Sequence, residues 1–118
     1  MADIRPRTTD SRELLVVGEC REVYHLLYDI LKSRKDYYLW QHCLKSLVSV
    51  GSNIAEGNKR GKKEQLRFMD FADGSMAEFE FQYSLLKIDS TEIPDKVDKI
   101  KAMMYKLRMS VVGSRRSD

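Results

Sequence analysis

The sequence predicts an all-α chain folded as an antiparallel, up-down-up-down four-helix bundle. Three observations carry this. Apolar residues recur at alternating intervals of three and four in four separate segments, which is the period of one helix face. Short polar breaks separate those segments, and short connections set neighbouring helices antiparallel. No stretch alternates apolar and polar residues with the period of two that a half-buried strand needs. The 118 residues suffice for one core. The only prolines are Pro6 and Pro94, and both sit where a helix has not yet begun or is just beginning.

The first helix is expected over residues 12–33, behind Asp10 or Ser11 as N-cap. Its seam is Val16, Cys20, Val23, Leu27 and Ile30, widened by Leu15, Tyr24 and Leu31. Gly18 would let a neighbour approach closely. SRKDYY makes the first break. The second helix begins at Asp36 or Tyr37 and reaches at least Glu56, with Trp40, Leu44, Leu47, Gly51 and Ile54 in its seam and Val48 and Ala55 beside it. Ser49, Gly51 and Ser52 are small enough for a tight crossing. EGNKRGKK follows as a turn in which Gly57 and Gly61 can take positive φ. The third helix runs over residues 62–87, with Phe68, Ala72, Ser75, Phe79, Gln82 or Tyr83, and Leu86 inward, and Phe71 and Met76 broadening the stripe. After IDSTE, with Ser90 or Thr91 as N-cap, the fourth helix spans residues 93–112. Its seam is Ile93, Val97, Ile100, Met104, Leu107 and Val111, and Gly113 stops it. The domain organisation expected is a flexible arm over 1–11, the bundle over 12–113 and a mobile tail over 114–118.

The net charge is only +3, but it is unevenly spread. Residues 32–69 hold nine Lys/Arg against three Asp/Glu, residues 70–98 two against eight, and residues 99–118 six against one. In an up-down-up-down bundle the turn between the second and third helices shares one end with both termini. The basic turn Lys59, Arg60, Lys62, Lys63 and Arg67 therefore meets Arg115 and Arg116, with Arg5, Arg7 and Arg12 near. These cations are the candidate phosphate contacts of a nucleic-acid-binding surface. The other reading is a solvated loop. A second polar set, Asn53, Glu56, Arg60, Ser75 and Glu78, with Glu64 close by, reads as a network that fixes helix register. Glu56 and Arg60 are spaced to pair on one helix face, and Glu78 could cross to Arg60 or Asn53.

Nothing in the sequence calls for a catalytic site, a metal or a cofactor. Cys20 and Cys43 form no CxxC and have no matching histidine pair, so they read as buried hydrophobes of a reducing compartment. Glu22 and His25 make one Glu-x-x-His, half of a di-iron motif, but Leu39 stands where His42 would need its glutamate. GNKRGKKE lacks the GxxxxGK[ST] of a phosphate loop. The polar amino-terminal residues do not form a signal peptide and no run is long enough to span a membrane. The expected location is the cytoplasm.

SNIAEGNKRGKKEQLRFMDFADGSMAEFEF, residues 52–81, resembles a bacterial family of four-helix-bundle proteins first recognised as reading frames inside ribosomal RNA intervening sequences. That family includes the accessory variability determinants of diversity-generating retroelements. The resemblance rests on Ser52 to Gly57 closing the second helix, Arg60 after it, Glu64 and Phe68 opening the third, then Gly74, Ser75 and Glu78. LLVVGECREVY, residues 14–24, fits more loosely. The resemblance implies a barrel-like homopentamer with a basic surface and no enzymatic activity. For retroelement members it implies a partner that binds a reverse transcriptase and its template RNA. The function expected is accordingly a nucleic-acid-binding adaptor for RNA or DNA. The alternative is a structural or protein-interaction bundle of the ribosomal-insert type.

Overall fold

A computed structural model describes residues 11–115, and side chains from residue 15 onward. The arm over 1–10 and residues 116–118, including Arg116, lie outside the described residues. The helices are α1 (Ser11–Leu31), α2 (Tyr37–Asn58), α3 (Lys62–Leu86) and α4 (Glu92–Val112). Each packs on its neighbours in sequence, α2 against α3 most closely, and α1 closes the ring on α4. Cross-helix bonds show the directions. Lys96 reaches Glu22 while Lys99 reaches Glu19, and Lys101 reaches Glu80 while Arg108 reaches Asp73, so α4 is antiparallel to both α1 and α3. Among the described residues no helix is long and apolar enough to cross a membrane.

One core runs through all four helices. On α4 it consists of Ile93, Val97, Ile100, Met104, Leu107 and Val111, every one buried. The seams of α1 and α2 lie where expected except at single positions, and that of α3 differs most. On α1 the buried line is Val16, Cys20, Val23, Leu27 and Leu31, while Leu15 and Ile30 are exposed. A strict seven-residue repeat drifts around a straight helix by about 20° per heptad, so the inward position at the end of α1 falls on Leu31. On α2, Cys43 and Val50 are buried and Val48 is exposed. On α3, Gln65, Met69, Ala72, Met76, Phe79 and Leu86 face inward, Phe68 is half-buried and Phe71 is exposed.

The small residues of the middle turn out to serve different neighbours. Ser49 Oγ lies 2.8 Å from Ser75 Oγ, joining α2 to α3. Gly51 faces α1 instead, where a Cβ would sit 3.6 Å from the Cβ of Cys20. Gly18 and Gly74 have no neighbour that a Cβ would touch, so Gly18 does not mediate a close approach. Gly57 does: a Cβ there would lie 3.0 Å from the Cβ of Phe68 and 3.4 Å from the Gln65 carbonyl oxygen. Neither Gly57 nor Gly61 has positive φ. α2 runs through Gly57 to Asn58, and Gly61 is the extended N-cap of α3 at φ −65° and ψ 169°. The left-handed conformation occurs instead at Lys87, φ 51° and ψ 49°, which ends α3.

Both ends of the bundle are latched by a cation on a helix carboxy terminus. The last carbonyls of a helix lack intrahelical partners and carry partial negative charge. In the α1–α2 loop, the Arg34 guanidinium donates 2.8 Å to the Leu86 carbonyl and pairs with both Asp36 oxygens. Asp36 is thereby engaged and does not cap α2. The Arg34 carbonyl in turn accepts from the Trp40 indole at 3.4 Å. At the other end Lys62 Nζ donates 2.9 Å to each of the Val112 and Ser114 carbonyls. Ser90, not Thr91, supplies the side-chain oxygen for α4, accepting from the Ile93 N–H at 3.2 Å.

Candidate nucleic-acid interface

The turn between α2 and α3 is short because the backbone closes on itself. The Lys59 N–H donates to the Glu56 carbonyl and the Arg60 N–H to the Gly57 carbonyl, which satisfies carbonyls that the end of α2 leaves open. The Gln65 N–H then donates to the Gly61 carbonyl at 2.9 Å, the first rung of α3. Gly61, extended between these two sets of bonds, leaves Lys59, Arg60 and Lys63 exposed around it. Lys62 turns back onto α4, so the basic turn and the end of α4 are held together. Arg115 follows directly and is exposed.

Arg60 and Arg67 are each engaged twice. The Arg60 guanidinium bonds Glu56 at 2.5 Å and lies over the Phe68 ring, 5.4 Å from its centroid. That guanidinium holds the Glu56 carboxyl below the usual carboxylate range. Arg67 stands 3.7 Å from Glu64 and 5.5 Å from the Phe71 centroid. Phe68 and Phe71 meet edge to face at 5.6 Å. The result is a continuous cluster of two cations and two rings across the α2–α3 turn and the start of α3. The apolar rhythm of the sequence assigned these phenylalanines to the core. The exposure of Phe71 would have been legible only from the regular spacing of Lys63, Arg67, Phe71 and Gly74, which share one strip of α3.

The second polar set divides. Asn53 Nδ2 donates to the Ser49 carbonyl at 2.8 Å and Ser49 Oγ at 3.2 Å, and Ser49 bonds Ser75. Glu56 and Arg60 form a separate exposed pair. Glu78 reaches neither Arg60 nor Asn53; it lies 3.5 Å from Ser46 Oγ, which also donates 2.7 Å to Gln82 Oε1. Ser46 and Ser49 are the residues that complete these links, and each lies beside the apolar seam at helical spacing.

Burial pushes the thiols of Cys20 and Cys43 up to about 12, so both are protonated near neutrality and are poor nucleophiles. Among the described residues no group of His, Cys, Asp and Glu is arranged to hold a metal ion. Tyr83 and Glu19 each carry one buried oxygen without a hydrogen-bond partner, on different helices.

A protein-family model described as the 23S rRNA-intervening sequence protein matches residues 13–111. No curated protein and no solved structure matches the chain.

Proposed function

The chain belongs to the 23S rRNA-intervening sequence protein family, and on that premise we propose that it is a non-enzymatic adaptor that binds nucleic acid through the basic end of its bundle. One observation supports this above the others. Lys62 joins the α2–α3 turn to the last carbonyls of α4, so that Lys59, Lys63, Arg60, Arg67 and Arg115 are cations of a single end. Concentrated positive charge of this kind meets phosphates and releases counterions. Arg116, the other tail cation assigned to this surface, lies outside the described residues.

In this reading the chain works in the cytoplasm as a homopentamer, which multiplies the basic end fivefold. Its protein partner is a reverse transcriptase and its nucleic acid the template RNA of a diversity-generating retroelement. A reverse transcriptase gene with a nearby variable repeat beside this one would support that assignment. Light scattering measures the subunit number.

The test of nucleic-acid binding leaves Lys62 intact, because that side chain holds two helices together. Lys59→Gln with Lys63→Gln removes two exposed charges and spares the latch. In a filter-binding titration against RNA, the double variant should bind more weakly at low salt. Its log–log salt slope should flatten by about 0.7 for each phosphate that is no longer neutralised. Equal affinity and slope in the two proteins would refute the proposal.

A second reading is a structural bundle that binds protein alone. It is favoured by the exposed pair Phe81 and Leu85, four residues apart on α3 and 65% and 48% exposed, since exposed apolar patches mark contact surfaces. It predicts no retention of RNA at moderate salt.

A further inference from the structure

Four residues run along one strip of α3 from the basic turn: Lys63, Arg67, Phe71 and Gly74, at intervals of four, four and three. The strip is about 16 Å long at 1.5 Å per residue. Lys63 and Arg67 are exposed cations at its start. Phe71 is 45% exposed and carries the Arg67 guanidinium 5.5 Å from its centroid. Phe68, 5.6 Å away and edge-on, buttresses it and is itself covered by Arg60. Beyond Phe71 the exposed Gly74 leaves bare backbone, with nothing within 4 Å of where a Cβ would be. One turn further, Glu78 would repel a phosphate and so bounds the strip.

We propose that this strip binds an unpaired stretch of nucleic acid, with phosphates on Lys63 and Arg67 and one base stacked on Phe71 over the gap left by Gly74. The inference rests on the nucleic-acid reading above and names the class of strand. A side-chain ring can stack on a base only when a face of that base is free; in a duplex both faces of each base are already covered by neighbouring pairs. Phosphates alone would not discriminate. The Arg67–Glu64 pair does not block the site. It is long and exposed, and such pairs contribute little, so a phosphate can take the guanidinium while the ring contact keeps it aimed. The arrangement is charge at one end, a held ring in the middle and open backbone beside it, which fits a nucleotide better than a flat apolar partner.

The test uses fluorescence anisotropy with a short fluorescein-labelled RNA, alone and annealed to its complement. The full chain is compared with Phe71→Leu, which keeps apolar volume and loses the ring, and with Phe71→Trp, which restores one. Circular dichroism confirms that the variants remain helical. The single strand should bind more tightly than the duplex to the parent chain. Phe71→Leu should weaken single-strand binding roughly tenfold and leave duplex binding alone, and Phe71→Trp should recover the loss. Equal binding of single strand and duplex by all three proteins, still weakened by the Lys59 and Lys63 substitutions, would overturn this inference and leave the adaptor reading standing. Retention of neither strand by the parent chain would overturn both. A Phe71→Leu protein with altered mass in light scattering and unchanged single-strand affinity would assign the ring to a contact between copies and overturn the proposal.

Discussion

The same substitution should have opposite effects at two helical glycines. An alanine is favoured over glycine inside a helix by about 1 kcal/mol, chiefly through backbone entropy. At Gly18 nothing stands within 4 Å of the new methyl, so Gly18→Ala should stabilise the fold by about that amount. At Gly57 the methyl would lie 3.0 Å from the Phe68 Cβ, 3.4 Å from the Gln65 carbonyl oxygen and 3.5 Å from the Gln65 Cα. None of these is the free end of a flexible side chain. Relief requires the start of α3 to move off α2, and overpacking of this kind costs about 1–3 kcal/mol. Set against the propensity gain, Gly57→Ala should fall between neutral and about 2 kcal/mol destabilising. The gap between the two variants is the quantity that matters, and it should be about 1–3 kcal/mol. Urea denaturation at one fixed protein concentration, followed by circular dichroism, reads it as a shift in midpoint at constant slope. If Gly57→Ala raised the midpoint as much as Gly18→Ala, the close approach of α2 and α3 at Phe68 would be refuted.

Two further outcomes follow from the ends of the helices. Lys87 holds a left-handed conformation, φ 51°, that costs a side-chain-bearing residue about 1–2 kcal/mol; Lys87→Gly should therefore raise the thermal midpoint, and an unchanged or lower midpoint would show that the conformation is not strained. Arg34 holds the Asp36 carboxyl below its ordinary 3.8, and Lys96 holds Glu22 below 4.5. Groups with depressed values stabilise the fold above their ordinary range and lose that contribution as the pH falls through the folded value. Urea midpoints should hold steady from neutrality to about pH 5 and decline below it. Arg34→Met should be less stable at neutral pH and shallower in that acid decline, and parallel declines would count against the pairing.

Helix positions were legible because four separate segments each carry an apolar rhythm bounded by polar breaks. The seam of α4 was legible residue by residue, since Ile93, Val97, Ile100, Met104, Leu107 and Val111 hold one unbroken four-three rhythm that Met103, Tyr105, Met109 and Val112 do not fit. On α3 the pattern was ambiguous. Phe68, Met69 and Phe71 are all apolar within four residues, and hydrophobicity alone cannot decide which of them turns inward. The structure buries Met69 and leaves Phe71 out, held under Arg67. Likewise Ile30 and Leu31 are interchangeable to a periodicity argument until the drift of the helix is followed to its end. The gathering of cations at one end follows from topology once helix count and loop length are known. Their engagements do not: whether Lys62 reaches solvent or the carbonyls of α4, or whether Glu78 meets Arg60 or Ser46, depends on side-chain rotations that no spacing encodes.

The two latches differ in what acid can do to them. Carbonyl acceptors do not titrate, and lysine and arginine stay charged through acid conditions, so the grip of Lys62 on Val112 and Ser114 is indifferent to falling pH. Arg34 grips one acceptor that titrates and one that does not. Protonating Asp36 slackens the loop's own fold while the guanidinium still hangs on Leu86. Acid thus loosens the α1–α2 loop at Asp36, and the grip of Lys62 on the end of α4 keeps both of its acceptors.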